Sequence, residues 1–319
     1  MRPLASGIFW LALAAVAFPA PDKPQEVASA DGEAPPISVD VDLVMLHATV
    51  TDHHGHLVAN LTKDDFQVYE NTLPQQIQLF QHEDVPVAAG LVVDHSGSMH
   101  NKLAEVSSAA RTFVHSSNPD DQVFVVNFNE EVTLGLPAAV RFSNSPPELE
   151  HAILRAPAGG KTALYDAIVG ALGQLKASKL DKKVLLVISD GGDNASTHSL
   201  AEVLDLAGQS SAIIYTVGIY DQDDPDRNPR VLRRLAHETG GEAFFPAKLS
   251  AVVDICAGIA HDIRSQYTMG YEPAVPTRSG GYRAIRVVAR APGHGKLLVR
   301  TRTGYIARPE LQQKNETSQ

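Results

Sequence analysis

Hydrophobic and polar positions follow three patterns along this chain. From Ile37 to Thr51 apolar and polar residues largely alternate, with Val39, Val41, Leu43 and Met45 on one parity, and this period of two predicts a half-buried strand. Between about residues 87 and 264, short apolar runs alternate with segments of helical length. After about residue 267, short segments rich in aromatic and β-branched residues return. The pattern therefore predicts β structure on both sides of an α/β region.

The middle region predicts crossover units. Its helices are expected at about residues 101–116, 147–154, 163–177, 200–209, 229–238 and 249–264, with apolar strands such as GLVVD, QVFVVNF, KVLLVIS and AIIYTVGIY between them. Strands that alternate with helices of this length form a mainly parallel sheet with both faces covered. We therefore predict a doubly wound, Rossmann-like α/β domain over residues 86–265.

The two flanking β segments, residues 37–85 and 266–308, each contain only a few short strands. Two or three strands bury too little apolar surface to be stable alone. We therefore expect the two segments to join in one small β-sandwich, with the α/β domain inserted in it or flanked by it.

The first twenty residues predict export. They combine an early arginine, an apolar segment from Ile8 to Phe18 and small residues near Ala20, which is typical of a secretory signal and too short for a comfortable membrane span. An uncleaved N-terminal anchor is the alternative. Residues 21–36 are rich in Pro and Ala and predict a flexible linker, and residues 309–319 predict a disordered tail. The predicted location is the periplasm, the cell surface or the extracellular space.

Polar side chains follow the apolar run that ends at Asp94. Ser96 and Ser98 come next at alternate positions, so a buried strand delivers one carboxylate and two hydroxyls into a loop. Open α/β sheets place their sites at the carboxyl ends of such strands. An oxygen-only ligand set suits a hard cation, most naturally Mg²⁺.

At these residues the sequence resembles a von Willebrand factor type A domain. The metal-ion-dependent adhesion site of that family uses the pattern D-x-S-x-S, then a distant Thr and a distant Asp. Thr162, in GGKTALYDAI, and Asp190, in KVLLVISDGGDN, occupy the distant positions. The resemblance implies a divalent cation, Mg²⁺ or alternatively Mn²⁺ or Ca²⁺, held by Asp94, Ser96, Ser98, Thr162 and Asp190.

The flanks extend the resemblance to a bacterial exported group of type A domain proteins. The stretch VTDHHGHLVANLTKDDFQVYENTLPQQIQLF precedes the domain, and YTMGYEP and TRTGYIAR follow it. The family implies that a protein partner completes the metal shell with an acidic residue. It does not imply a particular partner, because this group is defined by sequence similarity and not by a biochemical role.

The charge and the cysteine content of the chain argue against nucleic-acid binding and against a disulfide. The chain has 27 Lys and Arg against 37 Asp and Glu, a formal charge of -10, and this acidic balance argues against nucleic-acid binding, which needs clustered basic surface. Cys256 is the only cysteine, so no intrachain disulfide can form. Membrane contact is expected only through an uncleaved N-terminal segment.

Two other motifs have weaker functional readings. GGKT ends like a phosphate loop, but Arg155 stands where that motif needs a glycine. Three histidines, His53, His54 and His56, lie in one turn and could hold a transition metal. Three histidines in one turn are more often surface residues than metal ligands.

Three functional hypotheses remain. The leading one is an exported, non-catalytic binding or adhesion module that captures a protein partner through the metal. A metal-assisted hydrolase is the second, and it needs a general base near the cation; His95 is the only His or Glu inside the three motifs. A structural component of an envelope assembly is the third.

Overall fold

The computed structural model describes residues 43–116, 118–220, 225–275 and 281–307. The strands of this part of the chain are β1 (Val44–Thr51), β2 (Phe66–Glu70), β3 (Leu73–Gln75), β4 (Ile77–Gln81), β5 (Ala88–Asp94), β6 (Gln122–Phe128), β7 (Val132–Leu134), β8 (Lys183–Ser189), β9 (Ile213–Gly218), β10 (Ala243–Phe244), β11 (Tyr267–Tyr271), β12 (Gly281–Ala289), β13 (Leu298–Arg300) and β14 (Gly304–Ala307). The α-helices are α1 (Leu103–His115), α2 (Pro146–Ile153), α3 (Leu164–Leu175), α4 (Leu200–Ser210), α5 (Pro229–Thr239) and α6 (Val252–Arg264). Short 3₁₀ turns cover Lys63–Asp65, Gly97–Lys102 and Leu249–Ala251.

The middle of the chain forms a six-stranded sheet in the order β10-β9-β8-β5-β6-β7. All neighbours are parallel except β7, which pairs with β6 in the antiparallel sense. Helix α1 packs against α2 and α6, while α3 packs against α4 and α4 against α5. The fold is therefore the predicted α/β architecture with a mainly parallel sheet.

The central strands are continuous apolar runs because helices cover both of their faces. Every residue of β5 is buried, and so is every residue of β9. Gly90 in β5 is required by close packing: a Cβ there would lie 2.5 Å from Phe124 Cζ and 2.6 Å from Leu185 Cδ2. The neighbouring strands thus fill the space above Gly90 with their own side chains.

The two ends of the chain build two four-stranded antiparallel sheets. One has the order β13-β1-β11-β4 and the other β14-β12-β2-β3. Each sheet contains strands from both flanks, and one shared hydrophobic core includes Leu46, Val68, Met269 and Val287. The prediction that the N- and C-terminal segments join in one sandwich is confirmed.

The inward face of β1 differs from the predicted one. The alternation put the odd positions up to Met45 on one face, but the core contains the even positions Leu46, Ala48 and Val50. The odd side chains of His47 and Thr49 are also buried, and they bond to Thr268 and Asp262 at the junction with the α/β domain. The reason is that β1 is an internal strand covered on both faces, so polarity at its odd positions reflects a polar junction and not solvent.

The segment QQIQLF, Gln75–Phe80, does not form one strand paired with β2. The chain turns at Asn71 and Thr72, both with positive φ, and β3 pairs with β2. It then crosses to the other sheet, where β4 pairs with β11. This crossing lets Ile77 enter the core between the two sheets.

Several predictions concern residues outside the described part of the chain. These are the export signal at residues 1–20, the linker at 21–36, the start of the first strand at 37–42 and the tail at 309–319. Within the described part, no helix has both the length and the apolar character needed to cross a membrane.

Candidate metal centre

Two carboxylates meet because β5 and β8 are parallel neighbours. Val93 pairs with Ile188 in this register, so Asp94 at the end of β5 comes level with Ser189, and Asp190 follows at once. The carboxyl ends of both strands lie at the same edge of the sheet, which is where doubly wound folds place their sites. Both side chains are almost fully buried, with 0% exposure for Asp94 and 1% for Asp190.

Hydrogen bonds connect four of the five predicted ligands. Ser96 donates its backbone N–H to Asp94 Oδ1 at 2.8 Å, and the hydroxyls of Ser96 and Ser98 are 3.2 Å apart. Ser98 Oγ donates to Asp190 Oδ2 at 2.5 Å, and Gly192 N–H donates to Asp190 Oδ1 at 2.9 Å. The two carboxylates are thus bridged by the serine hydroxyls of the first motif.

Thr162 joins this group through its backbone. Its N–H donates to Asn194 Oδ1 at 2.9 Å, and its carbonyl accepts from the N–H of Asn194 at the same distance. Two residues earlier, the carbonyl of Gly160 accepts from Gly97 N–H at 3.2 Å. The loop of Thr162 therefore contacts the loops of both other motifs, but its hydroxyl makes no hydrogen bond to the other four predicted ligands.

The electrostatics of the site favour a cation. Burial raises the pKa of Asp94 to about 6, and the nearby charge of Asp190 acts in the same direction, while hydrogen bonds from Ser189 and Ser96 oppose it. Neither carboxylate forms an ion pair with any residue in the described ranges. Two buried carboxylates without a basic partner repel each other unless they are protonated or share a positive ion.

The donor set fits a hard divalent cation. It consists of two carboxylates and three hydroxyls and has no sulfur or imidazole, which matches the preference of Mg²⁺ and Ca²⁺ for oxygen ligands. No group of three or more His, Cys, Asp or Glu side chains elsewhere in the described part has an arrangement able to hold a metal. The predicted site at Asp94 is not such a group, because three of its five candidate ligands are hydroxyls.

Sequence reasoning missed Ser189. Its hydroxyl donates to Asp94 Oδ2 at 2.6 Å and accepts from Gly191 N–H at 3.0 Å, so it orients the first carboxylate from the neighbouring strand. A polar residue at the last position of an otherwise apolar strand was the available signal. Asn194 was missed as well, because its contact with Thr162 spans 32 positions of the chain.

His95, the candidate general base, is held on the far side of its loop. Its Nε2 lies 3.2 Å from Asn127 Oδ1, and Asn127 Nδ2 donates to the carbonyl of Ala152 at 2.7 Å. This orientation of the amide makes Nε2 the protonated nitrogen of the ring. The ring is buried, burial lowers its pKa, and it makes no hydrogen bond to the predicted ligands.

Comparison with known families agrees with this architecture. Residues 90–192 match a family model described as von Willebrand factor type A domain. Over these residues the chain is similar to a von Willebrand factor type A domain. The matched residues include all five predicted ligands.

Solved structures similar to this chain include other type A domains. A von Willebrand factor type A protein from Catenulispora acidiphila is 13% identical, with 84% of this chain and 73% of that chain covered and a TM-score of 0.49. An aerotolerance-related membrane protein from Bacteroides fragilis is 14% identical, with coverages of 56% and 98% and a TM-score of 0.45. Proximal thread matrix protein 1 from the mussel byssus, solved with a zinc-occupied MIDAS motif, is 16% identical, with coverages of 61% and 49% and a TM-score of 0.49. Among curated proteins, none matches the chain.

Proposed function

We propose that this chain is an exported, non-catalytic module that captures a protein partner through a divalent cation bound at the edge of the type A domain. The proposed ligands are Asp94, Ser96, Ser98, Thr162 and Asp190, and the proposed cation is Mg²⁺, with Mn²⁺ or Ca²⁺ as alternatives. One observation carries the proposal: two buried carboxylates, bridged by serine hydroxyls, have no basic partner among the described residues.

The bound cation would supply an electrophilic position for an acidic oxygen of the partner. Around it, the chain's own residues prepare the site. Ser189 and the Ser96 N–H hold the Asp94 carboxylate in place, Gly192 N–H holds that of Asp190, and Asn194 holds the backbone of Thr162. Such supporting hydrogen bonds orient ligands and raise metal affinity.

The predicted export signal and the formal charge of -10 support the remaining parts of the proposal. The module works outside the cytoplasm, in the periplasm, at the cell surface or in the medium, and contacts the membrane only if its N-terminal segment is retained. Its partner is a protein that offers an Asp or Glu side chain. A nucleic acid is not proposed, because a strongly acidic chain would repel it.

The first test is direct metal binding by the full chain. Calorimetric titration with Mg²⁺, Mn²⁺ and Ca²⁺ should show one site in the wild type and none in Asp94→Ala. Capture of partners from the envelope fraction of the source organism should then require the cation and stop in EDTA. Binding that persists in EDTA would contradict the metal bridge, and metal-dependent hydrolysis would favour the enzyme hypothesis instead.

A further inference from the structure

An open groove lies where helix α5 meets the sandwich, away from the predicted metal ligands. It has a volume of about 550 Å³. At its base the C-terminus of α5 touches the segment between β13 and β14: a Cβ on Gly240 would lie 2.5 Å from Arg302 N, and Thr303 N–H donates to Glu238 O at 3.2 Å. One wall therefore comes from the α/β domain and the other from the sandwich, a junction where ligand sites are common.

The groove is basic although the whole chain is acidic. Among the described residues that line it, Glu242 is the only carboxylate, and four are arginines: Arg233, Arg286, Arg300 and Arg302. The charge of Arg300 is balanced by ion pairs to Glu242 and Asp262. Arg233 and Arg286 form no ion pair with any residue of the described ranges. Because neither has a carboxylate partner in the part of the chain that the structure describes, we expect the groove to attract anionic groups.

The guanidinium groups of Arg233 and Arg286 are fixed by aromatic rings. Arg233 Cζ lies 4.3 Å from the ring centroid of Phe245, and Arg286 Cζ lies 4.1 Å from that of Tyr69. Stacking on a ring occupies the face of a guanidinium and leaves its N–H edge available. That edge matches the two oxygens of a carboxylate, which it binds through paired hydrogen bonds.

A sheet edge borders the same groove. The first half of β12 pairs with β14 through Gly281–Ala284, but its second half, from Ile285, pairs only with β2. Ile285 N–H donates to Thr303 O at 2.8 Å on the β14 side, so by the alternation of a strand Val287 directs its N–H and carbonyl to that side too. Val287 lines the groove, and no strand of the described chain pairs with it there.

We propose that this groove binds an extended acidic segment of a protein partner, which adds as a strand to the open edge of β12. Backbone hydrogen bonds to Val287 supply affinity, and carboxylates on Arg286 and Arg233 supply specificity. Side chains of an added strand alternate between the two faces. Glutamates at every second position therefore lie beside Arg286, while the residues between them meet the apolar lining near Val299. This site is independent of the cation.

The probe is a fluorescein-labelled peptide of alternating glutamate and valine, titrated against the full chain. Arg286→Glu and Arg233→Glu should each weaken its binding by at least about tenfold, since each reverses a charge that faces a carboxylate. Arg230→Glu is the matched control, because it makes the same change one helical turn away, at an exposed position outside the groove. EDTA and Asp94→Ala should leave peptide binding unchanged, whether or not the metal proposal holds.

Backbone pairing is tested on the peptide and not on the protein. One version is N-methylated at its valines and another at its glutamates. Strand addition requires that one of the two loses binding while the other keeps it. Loss in neither or in both, equal affinity for the Arg230 and Arg286 variants, or no binding of the parent peptide would overturn the proposal. Arginine-dependent binding to phosphatidylglycerol vesicles without peptide binding would do so as well, and would assign the groove to lipid headgroups.

Discussion

The sandwich and the α/β domain both bury carboxylates, but the charges of these carboxylates are balanced differently. In the sandwich core Glu70 accepts from Arg283 Nη1 at 2.6 Å, from Tyr271 OH at 2.7 Å and from Tyr305 OH at 2.9 Å. At the edge of the parallel sheet, Asp94 and Asp190 have hydroxyl and N–H donors but no basic partner in the described part of the chain. A buried carboxylate whose charge is balanced serves the fold. A buried pair without a basic partner is the arrangement that we propose binds a cation.

Removal of the sandwich carboxylate should have the largest effect on stability. Glu70→Ala removes the carboxylate that pairs with the buried Arg283 cation and accepts hydrogen bonds from two tyrosine hydroxyls. We expect the free energy of unfolding to fall by about 3–5 kcal/mol, the usual cost of breaking a buried ion pair. Urea unfolding measures it. Glu242→Ala is the control, because this half-exposed partner of Arg300 should cost less than about 1 kcal/mol.

The corresponding change in the α/β domain should affect binding and spare stability. Asp94→Ala should lower Mg²⁺ affinity at least about 100-fold, since losing even an outer-shell partner costs about 10-fold to 100-fold. That factor corresponds to about 2.7 kcal/mol of binding free energy. In EDTA its unfolding free energy should stay within about 1 kcal/mol of wild type, because relief of repulsion offsets two lost hydrogen bonds. A large loss of stability in EDTA would make Asp94 a structural residue like Glu70.

Acid should weaken the metal site in a defined window. The pKa of Asp94 is raised to about 6 by burial, and only the ionised carboxylate binds a cation. Mg²⁺ affinity should therefore fall about tenfold between pH 7 and pH 5, about 1.4 kcal/mol. Calorimetry at several pH values measures this, with proton release as a second readout. A flat profile would contradict the raised pKa.

The titration of Asp94 also changes the stability of the metal-free protein, but with the opposite dependence on pH: Mg²⁺ affinity rises with pH, whereas stability falls. A folded pKa above the ordinary value of 3.8 means that the folded state holds the proton more tightly than the unfolded state. Without metal, the contribution of Asp94 to stability is therefore lost as pH rises from about 4 through 6. The difference between wild type and Asp94→Ala in EDTA isolates this effect, and it should be absent if the carboxyl is already ionised at pH 5.

The smallest effect on stability is expected for the contact between Asp52 and His56, which lies in contact with solvent. Asp52 caps the turn of three histidines and lies 3.2 Å from His56 Nδ1, whose side chain is 79% exposed. His56→Ala should leave the midpoint of urea unfolding unchanged within error, as for other exposed pairs. A clear shift of that midpoint, or a thermal shift of wild type with Zn²⁺ that the variant lacks, would show that the histidine turn has a role of its own.

Much of the α/β domain could be predicted from local pattern. The helix expected at about residues 229–238 begins with Pro229 and ends at Gly240, whose positive φ is common in a residue that closes a helix. The apolar run that becomes β5 and the polar residues after it indicated a strand followed by a loop of ligands. These features depend on residues that are close in the sequence. The periodicity of hydrophobic and polar residues reports such local structure, so they could be predicted.

The order of elements, the joining of the two flanks and the positions proposed as ligands could all be predicted from the amino-acid sequence. The folded structure was needed to show that the even positions of β1 face the core, that β4 leaves β3 for the other sheet, and that Ser189 supports Asp94 from a neighbouring strand. It alone paired Glu70 with Arg283 across 213 positions and left the second half of β12 beside a basic groove. Burial and charge balance depend on which distant segments meet, and a local pattern of hydrophobic and polar residues does not contain that information.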